Sequence, residues 1–226
     1  MSRYPPKPAD RPANPRRRKK KAVPKSHLYD RPPLPKKGSQ SAKIIHTAVG
    51  DALTAWEFLE MEYAGVFDIL MGVKTPSHAS HRAYGAVMVS STRREMLAAA
   101  AEAFFSVFPD TNAEKETAAV IKLHEKLAPR RNDIAHGIVQ AFSARLAHVP
   151  SAKETWCLFP AYTTTKAVHI GKEGHFPFEP KYALTAQEIR KFAAYFRATR
   201  PAVAGLTETL RKLQKKPPST PITTVL

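Results

Sequence analysis

The sequence predicts a mainly α protein: an antiparallel bundle of about five helices, a small β-hairpin insertion before the last helix, and a disordered basic N-terminal tail. Three observations carry this prediction. Apolar residues recur at intervals of three and four over long stretches, the mark of amphipathic helices rather than strands. Between residues 154 and 184 the composition turns to aromatics, threonines and glycines, which suits short strands. Charge and proline are concentrated at the start, where residues 1–40 hold 13 Lys/Arg against 2 Asp/Glu, and 9 of the 20 prolines precede residue 36.

The tail, residues 1–40, has little apolar surface to bury and many like charges, so disorder is expected. Within it Arg16, Arg17, Arg18, Lys19, Lys20 and Lys21 form six consecutive cations. Such a run binds polyanions by releasing their condensed counterions, and it reads equally as a solubilising extension. Pro32 to Lys37 also fits a PxxPxK polyproline ligand, a weak match amid so many prolines.

The domain, residues 41–214, opens with one long helix. Ile45, Val49, Leu53, Trp56, Leu59, Tyr63, Val66 and Leu70 fall on one face of a 3.6-residue period, and Gly72 and Pro76 end it. A second helix is predicted from about Ala79 to Phe108, through the alanine-rich stretch Ala98–Ala103, and Pro109-Asp110 closes it. A third runs from about Ala113 to Leu127, where Pro129 interrupts, and a fourth from near Arg131 to about Leu146. Residues 151–184 form the insertion. Glu154–Phe159 and Thr163–Ile170 are expected to make a hairpin, or a short irregular sheet with Tyr182–Leu184. Thr185 followed by Glu188 is a capping box that starts the last helix, whose apolar positions run from Phe192 to Leu213 and which Pro201 should kink. Residues 215–226 form a second disordered tail.

Length and composition bound the function. The 226 residues, 43% hydrophobic, suffice for one buried core with appendages. A single cysteine, Cys157, removes any intramolecular disulfide. No apolar run approaches the ~20 residues that span a bilayer, and the start lacks the apolar stretch of a secretory signal. A soluble cytoplasmic protein is therefore expected, with no membrane partner. The net charge of +17 points to an anionic one.

The chemically informative segment is Arg130-Arg131-Asn132-Asp133-Ile134-Ala135-His136-Gly137, read as the start of the fourth helix. At about 100° per residue, Ile138 and Phe142 continue the buried stripe from Ile134, whereas His136 falls about 200° away and about 40° from Asn132. The histidine thus points away from the core. Gly137 beside it permits close approach of a backbone or ligand. Arg130 and Arg131 would stand at a helix N-terminus, where backbone donors favour a phosphate. A simpler reading makes the cluster a helix cap, with Asn132 or Asp133 as N-cap.

The run from Arg131 to His136 resembles the R-x4-6-H motif of the HEPN superfamily (higher eukaryotes and prokaryotes nucleotide-binding), including the polar residue after the arginine and the Ile-Ala-His-Gly continuation. The long first helix with Trp56, Glu57 and Glu60 is similar to uncharacterised bacterial proteins of that type, as is the aromatic and threonine stretch before Tyr182. The resemblance covers roughly residues 43–213. It implies metal-independent, cofactor-free RNA cleavage by a homodimer that brings two motifs together, as in toxins, phage-defence effectors and CRISPR-associated ribonucleases, some of which have a neutralising partner. Carried over, His136 would exchange a proton with the ribose 2′-hydroxyl or the leaving 5′-oxygen, since imidazole titrates near neutral pH. Arg131 would hold the scissile phosphate, Asn132 would orient either group, and the product would be a 2′,3′-cyclic phosphate. Arg130 joins Arg16–Lys21 as an expected nucleic-acid contact. Relatives that bind nucleotides or proteins without cleaving anything supply the alternative, a non-catalytic module tethered by its basic tail.

Other candidates are weaker. His78 and His81 have i, i+3 spacing but no cysteine and few acids to complete a metal shell. Glu57, Glu60 and Glu62 are expected to face solvent or to line the same cleft as the motif. Cys157 lies in an apolar stretch unsuited to a nucleophile. The absence of P-loop, G-x-G-x-x-G and G-x-S-x-G patterns argues against nucleotide hydrolysis, dinucleotide chemistry and serine hydrolysis.

Overall fold

A computed structural model describes residues 29–73, 78–142, 155–161, 168–170 and 178–216. Among them are five helices, α1 (Ala42–Leu70), α2 (His78–Ala86), α3 (Ser90–Val107), α4 (Thr111–Ala135) and α5 (Ala186–Gln214), and four short strands, β1 (Gly137–Ala141), β2 (Trp156–Pro160), β3 (Val168–Ile170) and β4 (Phe178–Pro180). The chain is mainly helical, with its small antiparallel sheets before the last helix. The cationic run Arg16–Lys21, most of the N-terminal tail, and residues 217–226 lie outside the described residues.

α1 begins where Ser41 accepts a hydrogen bond from the Ile44 N–H, and it buries Ile45, Trp56, Leu59 and Tyr63 almost completely. Its main partner is α5, which starts at the Thr185/Glu188 capping box and turns Phe192, Phe196, Val203, Leu206 and Leu210 inward. Trp56 and Phe196 meet edge to face at 5.2 Å across this contact. α3 and α4 pack on each other and on α1.

The helices divide the chain differently from the sequence prediction. The expected second helix is two, separated at Val87–Val89. Arg93 stabilises the break: its guanidinium donates to the Val87 carbonyl at 2.7 Å and the Gly85 carbonyl at 3.3 Å, satisfying acceptors that α2 leaves open at its end. The expected third and fourth helices are one, because α4 runs through Pro129. Leu127, Ala128 and Ile134 are buried on either side of that exposed proline, so tertiary packing outweighs the lost hydrogen bond. α5 is likewise continuous through Pro201.

The chain predicted as helix after Arg131 ends at His136, and residues 137–141 form β1, paired antiparallel with β2 from Gly137↔Pro160 to Ala141↔Trp156. Ile138 and Val139 are β-branched, and a short apolar run reads as strand or helix until a partner decides it. β2 therefore pairs with β1, and β3, which holds the end of the expected second strand, pairs with β4; residues 163–167 of that strand lie outside the described residues. Leu184 joins the first sheet through a bridge to Leu158. Phe142, Cys157, Phe159 and Ala183 form a second, smaller core there.

Residues 29–40 belong to the domain by contact. Ser39 bridges Trp156, with backbone hydrogen bonds of 2.7 and 2.8 Å, and a Cβ on Gly38 would stand 2.7 Å from the Trp156 carbonyl oxygen. The expected boundary at residue 41 therefore moves back to at least Tyr29.

Candidate functional site

The motif lies on the last turn of α4, at the helix C-terminus instead of the expected N-terminus. His136 is the C-cap, its N–H bonded to the Asn132 carbonyl at 3.0 Å. The anion-favouring end of a helix dipole is therefore absent here; this end favours a cation. The turn sorts its residues by side. Asp133 and Ile134 are buried, Asn132 and His136 are exposed, and Arg131 is part-buried.

Asn132 and His136 stand on one ridge of α4 with His124 and Ala128, at four-residue spacing. The first three of these, His124, Ala128 and Asn132, line a cleft of about 330 Å³ whose opposite wall is Val89, Ser90, Ser91 and Arg94. Val89, the N-cap of α3, supplies no side-chain acceptor to that helix end, and Ser90 and Ser91 of its first turn line the cleft with Arg94. Arg94 also pairs with Glu125 at 3.0 Å. His136 is one turn beyond the cleft.

Arg131 points elsewhere. It is about 140° around the helix from His136, 3.7 Å from Glu57 of α1, with one bond of 3.3 Å to Asn132 Oδ1. Within one protomer the arginine and histidine therefore sit on different sides of α4.

Arg130, expected to contact nucleic acid, is buried at 8% exposure and paired with Asp133 at 3.1 Å. Asp133 also accepts two bonds from Arg31, at 2.7 and 3.0 Å, and one from the Tyr182 hydroxyl at 3.1 Å. The Arg31 guanidinium lies 4.5 Å above the Tyr182 ring. The hydrogen bond to Asp133 raises the Arg31 pKa, burial lowers that of Arg130, and burial together with the Asp133 charge raises that of Tyr182. Neither Asn132 nor Asp133 caps the start of a helix.

Gly137 permits a close approach, but the neighbour is the protein itself: a Cβ there would meet Leu158 Cγ at 2.5 Å.

The glutamates of α1 separate into three roles. Glu57 meets Arg131, and Glu62 meets Arg200 at 2.9 Å. Glu60, expected at the surface or in the motif's cleft, is buried at 6% exposure. It bonds His124 at 3.0 Å and Arg93 at 3.0 Å, and it accepts from Tyr84 at 3.1 Å. Burial raises the Glu60 pKa, yet the hydrogen bond to His124 and the charges of His124 and Arg93 outweigh it and hold the carboxyl below its ordinary value. His124 is held between Trp56 and Tyr63, with ring centroids 5.4 and 4.9 Å away. This network escaped the sequence reading, although Glu60 sits four residues from Trp56 on the apolar stripe, a position where a carboxylate needs partners.

His81 pairs with buried Asp68 at 2.8 Å, and Cys157 is fully buried, its thiol pushed up to about 12 by desolvation. No group of three metal-ligating side chains occurs among the described residues, nor is any of their helices long and apolar enough to cross a membrane. Comparisons with protein-family models, with curated proteins and with solved structures return no match, so function rests on the residues themselves.

Proposed function

We propose that the exposed end of α4 is the RNA-cleaving surface of a metal-independent endoribonuclease of HEPN type, completed in a homodimer. The observation that carries this reading is the sorting on the last turn: Asn132 and His136 face outward while Asp133 and Ile134 anchor the turn to the core. The imidazole is thus accessible to a ribose 2′-hydroxyl, and Asn132 is on its side of the helix to orient it. The neighbouring cleft, with the N-terminal end of α3 and Arg94, suits the phosphates of a bound strand. Because Arg131 is turned from His136 in one protomer, the arginine that holds the scissile phosphate is supplied across the dimer. The chemistry is acid–base transfer at the 2′-hydroxyl and 5′-oxygen, with guanidinium stabilisation of the phosphorane charge.

The test is cleavage of single-stranded RNA in EDTA by wild type, His136→Ala and Arg131→Ala, with folding and dimerisation checked for each. Loss of cleavage in both single variants, and partial recovery when the two are mixed as heterodimers, supports the reading. Cleavage that persists in either variant, or never appears in wild type, overturns it.

A second reading is favoured by one observation, the direction of Arg131 toward Glu57. In that reading the cleft binds a nucleotide or a protein partner without chemistry, and RNA affinity survives where cleavage is absent.

A further inference from the structure

A groove of about 500 Å³ runs between α3 and α4. Its lining recurs at i, i+3, i+4 and i+7 spacing on both helices, so each helix turns a second face toward it. Ala101, Phe105 and Ile121 form part of an apolar floor, and alanines leave the space between the helices unfilled. The rim carries Glu102, Glu114 and Glu125 against one lysine, Lys122. Glu125 is partly neutralised by Arg94, which leaves Glu102 and Glu114 as the acidic edge. On a chain of net charge +17 such an edge is matched to a cationic occupant.

The position of the chain says which one. Tyr29 and Asp30 line a neighbouring cavity together with Glu125, the same glutamate that ends the groove. Lys126 lies 5.3 Å from the Tyr29 ring centroid. Lys21 is eight residues upstream of Tyr29, a tether of up to ~28 Å. From Glu125 to Glu114 the groove extends ~16 Å along α4, and six extended residues span ~20 Å.

We propose that this acidic, apolar-floored groove is a docking surface for the chain's own basic arm, Arg16–Lys21. Docked, the arm neutralises the rim and lays its aliphatic stems on the floor. A polyanion then competes with the groove for the same six cations, so the free arm is released where anionic ligand is concentrated. The proposal is independent of any chemistry at Arg131 and His136.

The experiment uses the full chain without RNA. Zero-length carbodiimide cross-linking at low salt and high dilution, read by mass spectrometry, is expected to join Lys19, Lys20 or Lys21 to Glu102 or Glu114 within one chain. Trypsin is expected to cut the arm at least five-fold faster in a Glu102→Lys, Glu114→Lys variant than in wild type. The difference should vanish in 1 M salt, where the Debye length falls to about 3 Å. Both glutamates are exposed, so the variant is expected to keep the wild-type melting profile, and Glu102→Gln, Glu114→Gln serves if it does not. Equal trypsin rates at low salt, absence of these links, or links found only between chains (a second copy's arm as occupant) would overturn it.

Discussion

Arg31 and Asp133, 102 residues apart in sequence, are joined by two hydrogen bonds of 2.7 and 3.0 Å, on a carboxylate that also receives Arg130 and Tyr182. Asp133 lies between Arg131 and His136 in the chain yet is buried, whereas His136 is exposed. The residue that anchors the motif turn is thus distinct from those it presents to solvent.

That separation gives the first prediction. Asp133→Ala leaves Arg130 buried without its counter-ion and is expected to cost about 3 kcal/mol. Arg31→Ala, which removes a partner that is 40% exposed, should cost about 1 kcal/mol. His136→Ala, at an exposed position, should lie within about 0.5 kcal/mol of wild type. Urea titrations of the three variants check the order, and an Asp133→Ala protein as stable as His136→Ala would contradict the anchoring role.

The Glu60 network sets the acid limb of stability. Its carboxyl is held below the ordinary 4.5 in the folded state by His124, Arg93 and Tyr84 despite burial. A depressed folded-state pKa contributes stability that is fully present above the unfolded value and is lost as pH falls through the folded one. Denaturation midpoints should therefore decline below about pH 4.5, and Glu60→Gln should flatten that decline while lowering stability near neutrality by about 2 kcal/mol. An acid limb of unchanged slope in Glu60→Gln would assign the effect to other carboxylates.

Gly137 and Leu158 form a pair that a methyl group would disrupt. A Cβ at Gly137 would be 2.5 Å from Leu158 Cγ, a branch point with 1% exposure and little room to retreat. Gly137→Ala should cost about 1–3 kcal/mol through overpacking. Leu158→Ala should cost about 2–5 kcal/mol through a cavity. The double variant is expected to lose less than the two together, a coupling that thermal melts of the four proteins would measure.

The sequence was legible where periodicity was long and caps were strong. α1 spans eight turns of one apolar stripe, and Thr185/Glu188 marks the start of α5 to the residue. It misled where a local signal met a tertiary one. Pro129 reads as a stop, but Leu127 and Ile134 on either side are buried and hold α4 together. Because α4 runs on through Pro129, the motif stands at a helix end without the anion-favouring dipole, and Arg130 is buried. The outward placement of His136 was readable, because its angular offset from Ile134 holds at either end of a helix. Glu60 was misread because an isolated carboxylate on an apolar face gives no hint of partners 24, 33 and 64 residues away.

Cys157 offers a probe of the second core. The thiolate is the reactive form, and desolvation pushes this thiol up to about 12. In the folded protein at pH 8, a thiol reagent should react far more slowly than with a free cysteine. The rate should rise in urea in step with loss of the fold, because Cys157 is shielded with Phe142 and Phe159. Rapid native-state labelling at pH 8 would mean that β1 and β2 open independently of the helices.

The basic arm and the end of α4 should separate in their salt dependence. Each phosphate neutralised on a single strand contributes about 0.7 to the slope of log affinity against log salt, so six cations contribute about 4. Replacing Arg16–Lys21 with serines should reduce the slope for single-stranded RNA by about that amount. Arg131→Ala should reduce it by less than one unit, and His136→Ala should leave it nearly unchanged while abolishing cleavage. Fluorescence anisotropy across 50–200 mM salt, paired with a cleavage assay on the same samples, makes the comparison. A slope that is insensitive to the arm but halved by Arg131→Ala would place the electrostatic contact on α4 instead and remove the arm's part in binding RNA.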